Sequence, residues 1–279
     1  MAEAEAKTQD SRGETTNGLV QYRVADGVAL LTLNDPPANT YTYEMMQELD
    51  RAILTARMDE DAHVIVITGG GEKFFCAGAN IRMLTEMTPT FKYFFCLHAN
   101  ETLSRLEQTP KLVIAALNGH TVGGGLEVAM AADLRIARRG AGKMGLPEVS
   151  LGVLPGTGGT QRMVRIVGKS RAIELMATGE LFDFERGLEL GLIDHIYEAA
   201  DATQFMEQVM NYARQFTLPG KAARAVGRIK RSVQTGAEIP FEYGLALERE
   251  LQQQLFQSED AREGLDAYVE KRKPQFKGR

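Results

Sequence analysis

Cysteine is nearly absent. Among 279 residues only Cys76 and Cys96 carry thiols. Two thiols cannot build a disulfide framework and no Cys-x-x-Cys pair exists, so free thiols in a reducing compartment are expected. Histidine is equally sparse. His63, His98, His120 and His195 stand apart with no His-x-x-x-His spacing, which leaves no expected zinc site. No stretch reaches the ~18 consecutive apolar residues of a membrane span. Excess positive charge is missing too. The 32 basic and 37 acidic residues give a formal net charge of −5, which argues against nucleic acid as a partner. Residues 1–18 lack an apolar core and mix Glu3, Glu5, Asp10 and Glu14 with Lys7 and Arg12. That pattern is neither a secretory signal nor an Arg-rich, acid-poor transit peptide. A flexible tail and a cytoplasmic address are the expectation.

What is present is ordinary for a globular chain: 44% hydrophobic and 25% charged residues, in a length that can bury a full core without staples. Four short apolar runs, residues 28–33, 64–68, 112–117 and 134–137, read as buried strands. Residues 43–58 place Met46, Leu49, Ala52, Ile53 and Ala56 at helical spacing, and 91–108 is also helix-like. Strands alternating with helices predict an α/β architecture. Beyond Pro155 the pattern becomes almost wholly helical, with segments 160–167, 170–178, 184–190, 202–216, 221–234, 242–257 and 258–272. A soft boundary near residue 200 divides the expected core, 19–200, from a helical region, 201–279.

Glycine concentrates in three places: residues 69–78, 119–125 and 152–159. None forms a phosphate loop. Gly168-Lys169-Ser170 has a Walker A tail, but Met163 stands where its first glycine belongs; Gly156 and Gly158 lack the third glycine, because position 161 is Gln. Ser150 lacks the preceding glycine of a nucleophile elbow, since Glu148 occupies that position. A different use remains. Gly123–Gly125 lies between a strand and a helical pattern, where unshielded N–H groups carry the positive end of a helix dipole. A second N–H near Gly78-Ala79 could converge on the same point and complete an oxyanion hole. Glycines serving only tight turns fit the same string.

Two glutamates sit in unusual company. Glu127 is embedded in Leu126, Val128, Ala129 and Met130; Glu148 follows Leu146-Pro147 and precedes Val149. Carboxyls among apolar neighbours have raised pKa values suited to acid–base work, and two of them can serve as one acid and one base. A helix cap and a surface loop residue would leave the same trace in sequence.

Taken together, the segments 75–81, 118–127, Leu146-Pro147-Glu148 and 152–162 resemble the enoyl-CoA hydratase (crotonase) family, in the family's order, as does the ending 268–276. The resemblance covers residues 19–279. It implies a spiral of repeated ββα units, followed by a helical C-terminal region that supports a homotrimer or a dimer of trimers. It also implies an acyl-CoA thioester substrate, with its carbonyl held by the N–H groups of Ala79 and Gly124. Both acid–base positions are glutamate here, Glu127 and Glu148, which is the hydratase pattern. The implied reaction is reversible addition of water across the C2=C3 bond of a trans-2-enoyl-CoA. No metal or redox cofactor is implied, and coenzyme A belongs to the substrate. Ala38, Ala77 and Arg82 match family positions that meet coenzyme A, as do Tyr268 and Lys271, for these two the resemblance implying reach across a subunit boundary. Asn80 replaces a frequent Asp in relatives, with a local structural role expected. One residue more than usual separates the two glutamates, which the turn 138–143 is expected to absorb. Residues 83–104 would border the acyl group; His98 and the aromatic run 91–95 lie there. Branched, methylglutaconyl-type and cyclic dienoyl-CoA hydratases and 3,2-enoyl-CoA isomerases share most of these motifs. An RNA-binding relative would need a basic face, for which 221–231 is the most basic segment.

Overall fold

The computed structural model describes Thr15 and residues 17–279. The expected tail, residues 1–18, therefore lies almost wholly outside the described residues. Its described end is tied down: Thr15 pairs with Tyr22, and Glu48 accepts from the amides of Leu19 and Val20.

The elements follow in the order β1 (Val20–Ala25), β2 (Val28–Leu33), α1 (Tyr43–Met58), β3 (Val64–Gly69), β4 (Phe74–Cys76), α2 (Ile81–Glu86), α3 (Pro89–Gln108), β5 (Leu112–Leu117), β6 (His120–Val122) and α4 (Gly124–Met130). Next come β7 (Leu134–Arg138), β8 (Lys143–Gly145), a 3-10 turn (Glu148–Leu151), α5 (Gly159–Val167), α6 (Lys169–Thr178), β9 (Phe182–Asp183), α7 (Phe184–Glu189) and β10 (His195–Tyr197). The chain ends in α8 (Ala202–Arg214), α9 (Ala223–Gly236), α10 (Phe241–Phe256) and α11 (Glu259–Glu270).

Two sheets result. The larger has the order β1-β2-β3-β5-β7-β10 and is parallel except for the β1–β2 hairpin; the smaller has the order β4-β6-β8-β9. Successive turns of the chain add a long strand to the first sheet, a short strand to the second, and then helix: β3-β4-α2, β5-β6-α4, β7-β8-α5. This is the implied ββα spiral. The four apolar runs read from sequence are its long inner strands. They are mainly apolar, with Thr32, Thr68 and Arg135 as exceptions, because both faces are covered. Leu31, Ile65, Ile67, Ala115 and Leu117 face the main core with α1, while Leu30, Val64, Val66, Ile114 and Ile136 face the other way onto Phe205, Val209 and Met210 of α8. Thus α8 packs on the sheet although it lies beyond residue 200.

Local chemistry explains the helix starts. Thr42, Asn80, Thr88, Asp183, Asp201 and Ser258 each accept a backbone N–H with the side chain at an N-cap. Asn80, replacing the frequent Asp, therefore has the expected local role. The stretch 138–143, expected to absorb the extra residue between the glutamates, holds a turn in which Gly140 takes φ +67°. Helix ends differ from expectation by a few residues. The last begins at Glu259 after its Ser258 cap and stops at Glu270, where Lys271 turns left-handed at φ +56°.

Candidate active site

Three glycine-bearing segments meet at the start of α4. The stretch 38–41 runs beside 77–80: Ala77 N donates to Ala38 O at 3.0 Å, Tyr41 N to Gly78 O at 3.0 Å, and Asn80 N to Tyr41 O at 3.0 Å. Gly78, at φ +87°, abuts the second segment so closely that a Cβ there would lie 3.0 Å from Gly124 N. Any other residue would be strained and would push into the Gly124 amide. Gly124 begins α4, so its N–H has no acceptor within the helix. Neither this amide nor that of Ala79 donates a hydrogen bond among the described residues. The structure therefore brings together two of the residues expected to line an oxyanion hole.

Glu127 lies on α4 and is 2% exposed. Its carboxylate is held by the third segment. Oε1 accepts from Thr157 N at 2.8 Å and Gly159 N at 2.6 Å, and Oε2 accepts from the Thr157 hydroxyl. Three of about four lone-pair sites are therefore occupied and one remains. Burial pushes the Glu127 pKa up; the Thr157 hydroxyl, the two N–H donors and Arg162 pull it back.

Glu148 begins the 3-10 turn and is half-buried. Its Oε1 would lie 2.9 Å from a Cβ at Gly123, which places the carboxyl against the residue preceding Gly124. Its Oε2 is buried without a hydrogen-bond partner in the protein. Burial first, and then the charge of Glu127, push its pKa up to about 7; its own backbone N–H and Lys92 act in the opposite direction. Two carboxyls of unequal surroundings thus lie close enough for the charge of Glu127 to act on Glu148. One is held by three donors and one has a free buried oxygen, which suits division into acceptor and proton carrier.

The outer residues are less gathered. Ala38 and Ala77 are paired and half-buried, and Arg82 stands exposed on α2 with no ion-pair partner among the described residues. Tyr268 is 86% exposed and Lys271 is exposed at the end of α11, which packs chiefly on α10. No hydrogen bond or ion pair joins either to the glutamates within this chain. His98 sets its ring edge-on to Tyr43 at 5.6 Å, and its Nε2 is buried without a partner. The aromatic run is mixed: Phe95 is core, whereas Phe91, Tyr93 and Phe94 are exposed.

Two participants escaped the sequence reading. Thr157 belongs to the third glycine cluster, but nothing in that string says that it would reach Glu127. Tyr41 is a loop tyrosine by sequence. In the fold it is 3% exposed, with its hydroxyl 3.3 Å from Thr157 Oγ1 and its ring against Gly124.

The match to the enoyl-CoA hydratase/isomerase family model spans residues 23–279. The chain belongs to this family. A probable enoyl-CoA hydratase of Bacillus subtilis (strain 168) is 37% identical, over 93% of this chain and 98% of that protein. A short-chain-enoyl-CoA hydratase of Clostridium acetobutylicum is 35% identical, over 90% of this chain and 95% of that one. A solved enoyl-CoA hydratase structure from Geobacillus kaustophilus HTA426 superposes with a TM-score of 0.91 at 43% identity, covering 95% of this chain and 98% of that one. The fold is the crotonase fold, with its helical C-terminal region. No helix among the described residues is long and apolar enough to cross a membrane.

Proposed function

We propose that this family member is a hydratase, which adds water reversibly across the C2=C3 double bond of a trans-2-enoyl-CoA to give a 3-hydroxyacyl-CoA. The observation that carries the reading is the pair Glu127 and Glu148, close enough for the charge of Glu127 to act on Glu148, one held by three donors and one with a buried oxygen left open.

In this reading the thioester oxygen accepts from Ala79 N and Gly124 N, which withdraws charge from C3. Those donors act most strongly on the enolate that develops in the transition state, because that charge is absent from the substrate. A water held between the glutamates adds its oxygen to C3. One of its protons passes to the carboxyl pair through the remaining lone pair of Glu127, and Glu148 gives a proton to C2. One proton enters the pair and one leaves, so the pair returns to its starting charge. Coenzyme A would run along Ala38 and Ala77 toward Arg82. It is part of the substrate, and the reaction draws on no further cofactor.

Assembly as a trimer, or a dimer of trimers, accords with the C-terminal helices. They leave Tyr243, Tyr268 and Val269 exposed, and Phe256 and Leu265, also exposed, line an apolar groove of about 310 Å³. In such an assembly Tyr268 and Lys271 could reach a neighbour's coenzyme A.

The test is hydration of crotonyl-CoA, followed as loss of the conjugated thioester absorbance, in the parent and in Glu127→Ala and Glu148→Ala. Collapse in both variants supports two-glutamate hydration. Hydration that survives Glu127→Ala, or a parent that only shifts the double bond of a 3-enoyl-CoA, assigns the site to an isomerase working through Glu148.

A further inference from the structure

Tyr41 forms the end of a hydrogen-bonded line into the site. Its hydroxyl lies 3.3 Å from Thr157 Oγ1, and the Thr157 hydroxyl in turn meets Glu127 Oε2. No other hydrogen-bond partner of the Tyr41 hydroxyl occurs among the described residues, and the side chain is buried. These facts fix the polarity of the line. A threonine hydroxyl has one proton, and an ionised carboxylate can only accept. Thr157 therefore donates to Glu127, and Tyr41 donates to Thr157. Protonating Glu127 on the Oε2 lone pair that faces Thr157 would reverse the line: Glu127 would donate to Thr157 and Thr157 to Tyr41, and the buried phenol proton would be left without an acceptor. An orphaned buried donor is costly.

We propose that Tyr41 is a positioning residue of this site, whose hydroxyl commits the Thr157 proton to Glu127 and so keeps Glu127 an acceptor for the reacting water. The inference rests on the hydratase reading for its consequence in turnover, but not for the coupling itself. The surroundings agree with it. Burial, and then the neighbouring Glu127, hold the Tyr41 pKa well above the ordinary phenol range, so that Tyr41 stays a donor wherever the glutamates titrate. The charged and titratable groups around the line are Arg162 beside Glu127, Cys76 and Glu148 beside Tyr41, and Lys92 beside Glu148. Cys76 is itself pushed up to about 12 by burial and stays a neutral thiol. Only Arg162 and Lys92 are cationic, and neither forms a hydrogen bond to Tyr41.

Carbon-13 NMR titration of glutamate carboxyls tests this in the resting protein, with the Glu127 signal assigned by Glu127→Gln. Tyr41→Phe keeps the ring and removes the hydroxyl. The Glu127 midpoint should then rise by about one pH unit, the worth of one hydrogen bond to the charged form. Adding Tyr41→Phe to Thr157→Val should produce no further shift, because the line is already cut. An unchanged midpoint in Tyr41→Phe overturns the proposal, and so does an equal shift in the Thr157→Val background. In turnover, Tyr41→Phe should lower kcat about five- to tenfold at neutral pH with KM little changed, and its acid limb should move with the carboxyl titration. A merely structural tyrosine would leave that limb in place. If the Glu127 shift occurs and the parent hydrates no enoyl-CoA, the hydratase reading fails and the hold of Tyr41 on Glu127 stands.

Discussion

Thr157 grips both oxygens of Glu127, giving its amide to Oε1 at 2.8 Å and its hydroxyl to Oε2. The carboxylate plane is thereby set by one residue, and Gly159 N adds a third donor at 2.6 Å. Arg162 anchors the same loop, donating to Thr157 O at 3.1 Å while its guanidinium pairs with both oxygens of Glu107. Thr157→Ser keeps both donors and should retain most activity. Thr157→Val keeps the amide and the shape but removes the hydroxyl, and should lower kcat about tenfold, in line with one lost hydrogen bond to a charged group. Steady-state hydration kinetics on the two variants separate these outcomes; equal rates would mean that the amides alone hold Glu127.

Gly124 is fixed by contact as well as by its amide. A Cβ at this position would fall 2.0 Å from the Tyr41 hydroxyl oxygen and 2.6 Å from its ring carbons. Gly124→Ala must therefore displace Tyr41 or the start of α4. Overpacking of this kind costs about 1–3 kcal/mol, and hydration should fall with it because the Gly124 N–H moves. Tyr41→Leu/Gly124→Ala removes the colliding atoms and should recover stability relative to Gly124→Ala alone. Thermal melts of the three variants are the measurement. If the double variant is no more stable than Gly124→Ala, the contact with Tyr41 is not what excludes a side chain.

The inner strands were legible in sequence because burial on both faces makes them nearly continuous apolar runs, broken only by such residues as Thr32 and Arg135. Residues 43–58 were legible because a single apolar stripe faces the core. β1 left a weaker trace. Its residues alternate between core and solvent, with Arg23 exposed, and its clearest mark is the Asp26-Gly27 turn, where both residues take positive φ. The strands β4, β6 and β8 are three residues each and lie in or beside glycine-rich segments, too short for any periodicity. In the site, Glu127 and Glu148 stood out as carboxyls in apolar company. Thr157 and Tyr41 did not, because their importance is a matter of which distant segments touch, 30 and 116 residues apart along the chain.

The joint between α9 and the sheet makes a separate prediction. Lys230 Nζ pairs with Asp133 Oδ2 at 2.9 Å with both side chains largely buried, and Gln234 reaches Asp133 Oδ1 at 2.9 Å from the next turn. Asp133 also accepts from Val113 N at the start of β5, so one carboxylate ties helix, strand and loop. Burial pushes the Asp133 pKa up and the Lys230 pKa down, and each charge offsets the shift in the other. Lys230→Met should cost about 3–5 kcal/mol in urea unfolding, since it leaves Asp133 buried without its cation. Adding Asp133→Asn should return part of that loss. An exposed pair would cost under about 1 kcal/mol, which would show that α9 is held by apolar contact alone.

Glu148 should make both stability and rate depend on pH, with a definite sign. Its folded pKa is about 7 against an ordinary 4.5, raised by burial and by Glu127. Between those values the folded chain keeps a proton that the unfolded chain has lost. Unfolding then releases a proton, so the contribution of Glu148 to stability is complete below about 4.5 and is lost as pH rises through about 7. Glu148→Gln has no such proton to lose. Its melting temperature relative to the parent should climb across that window and level off above it. In the hydration direction Glu148 must carry a proton to C2 while Glu127 stays an acceptor, so the parent kcat should fall as pH rises through about 7. Dehydration uses the opposite protonation state and should fall as pH drops through the same range. Because the two glutamates interact, the apparent midpoint belongs to the pair, and Glu127→Gln should lower it by removing the charge that adds to burial in raising it. A parent whose hydration rate stays flat from about pH 6 to 9 would remove Glu148 from the proton transfer to C2.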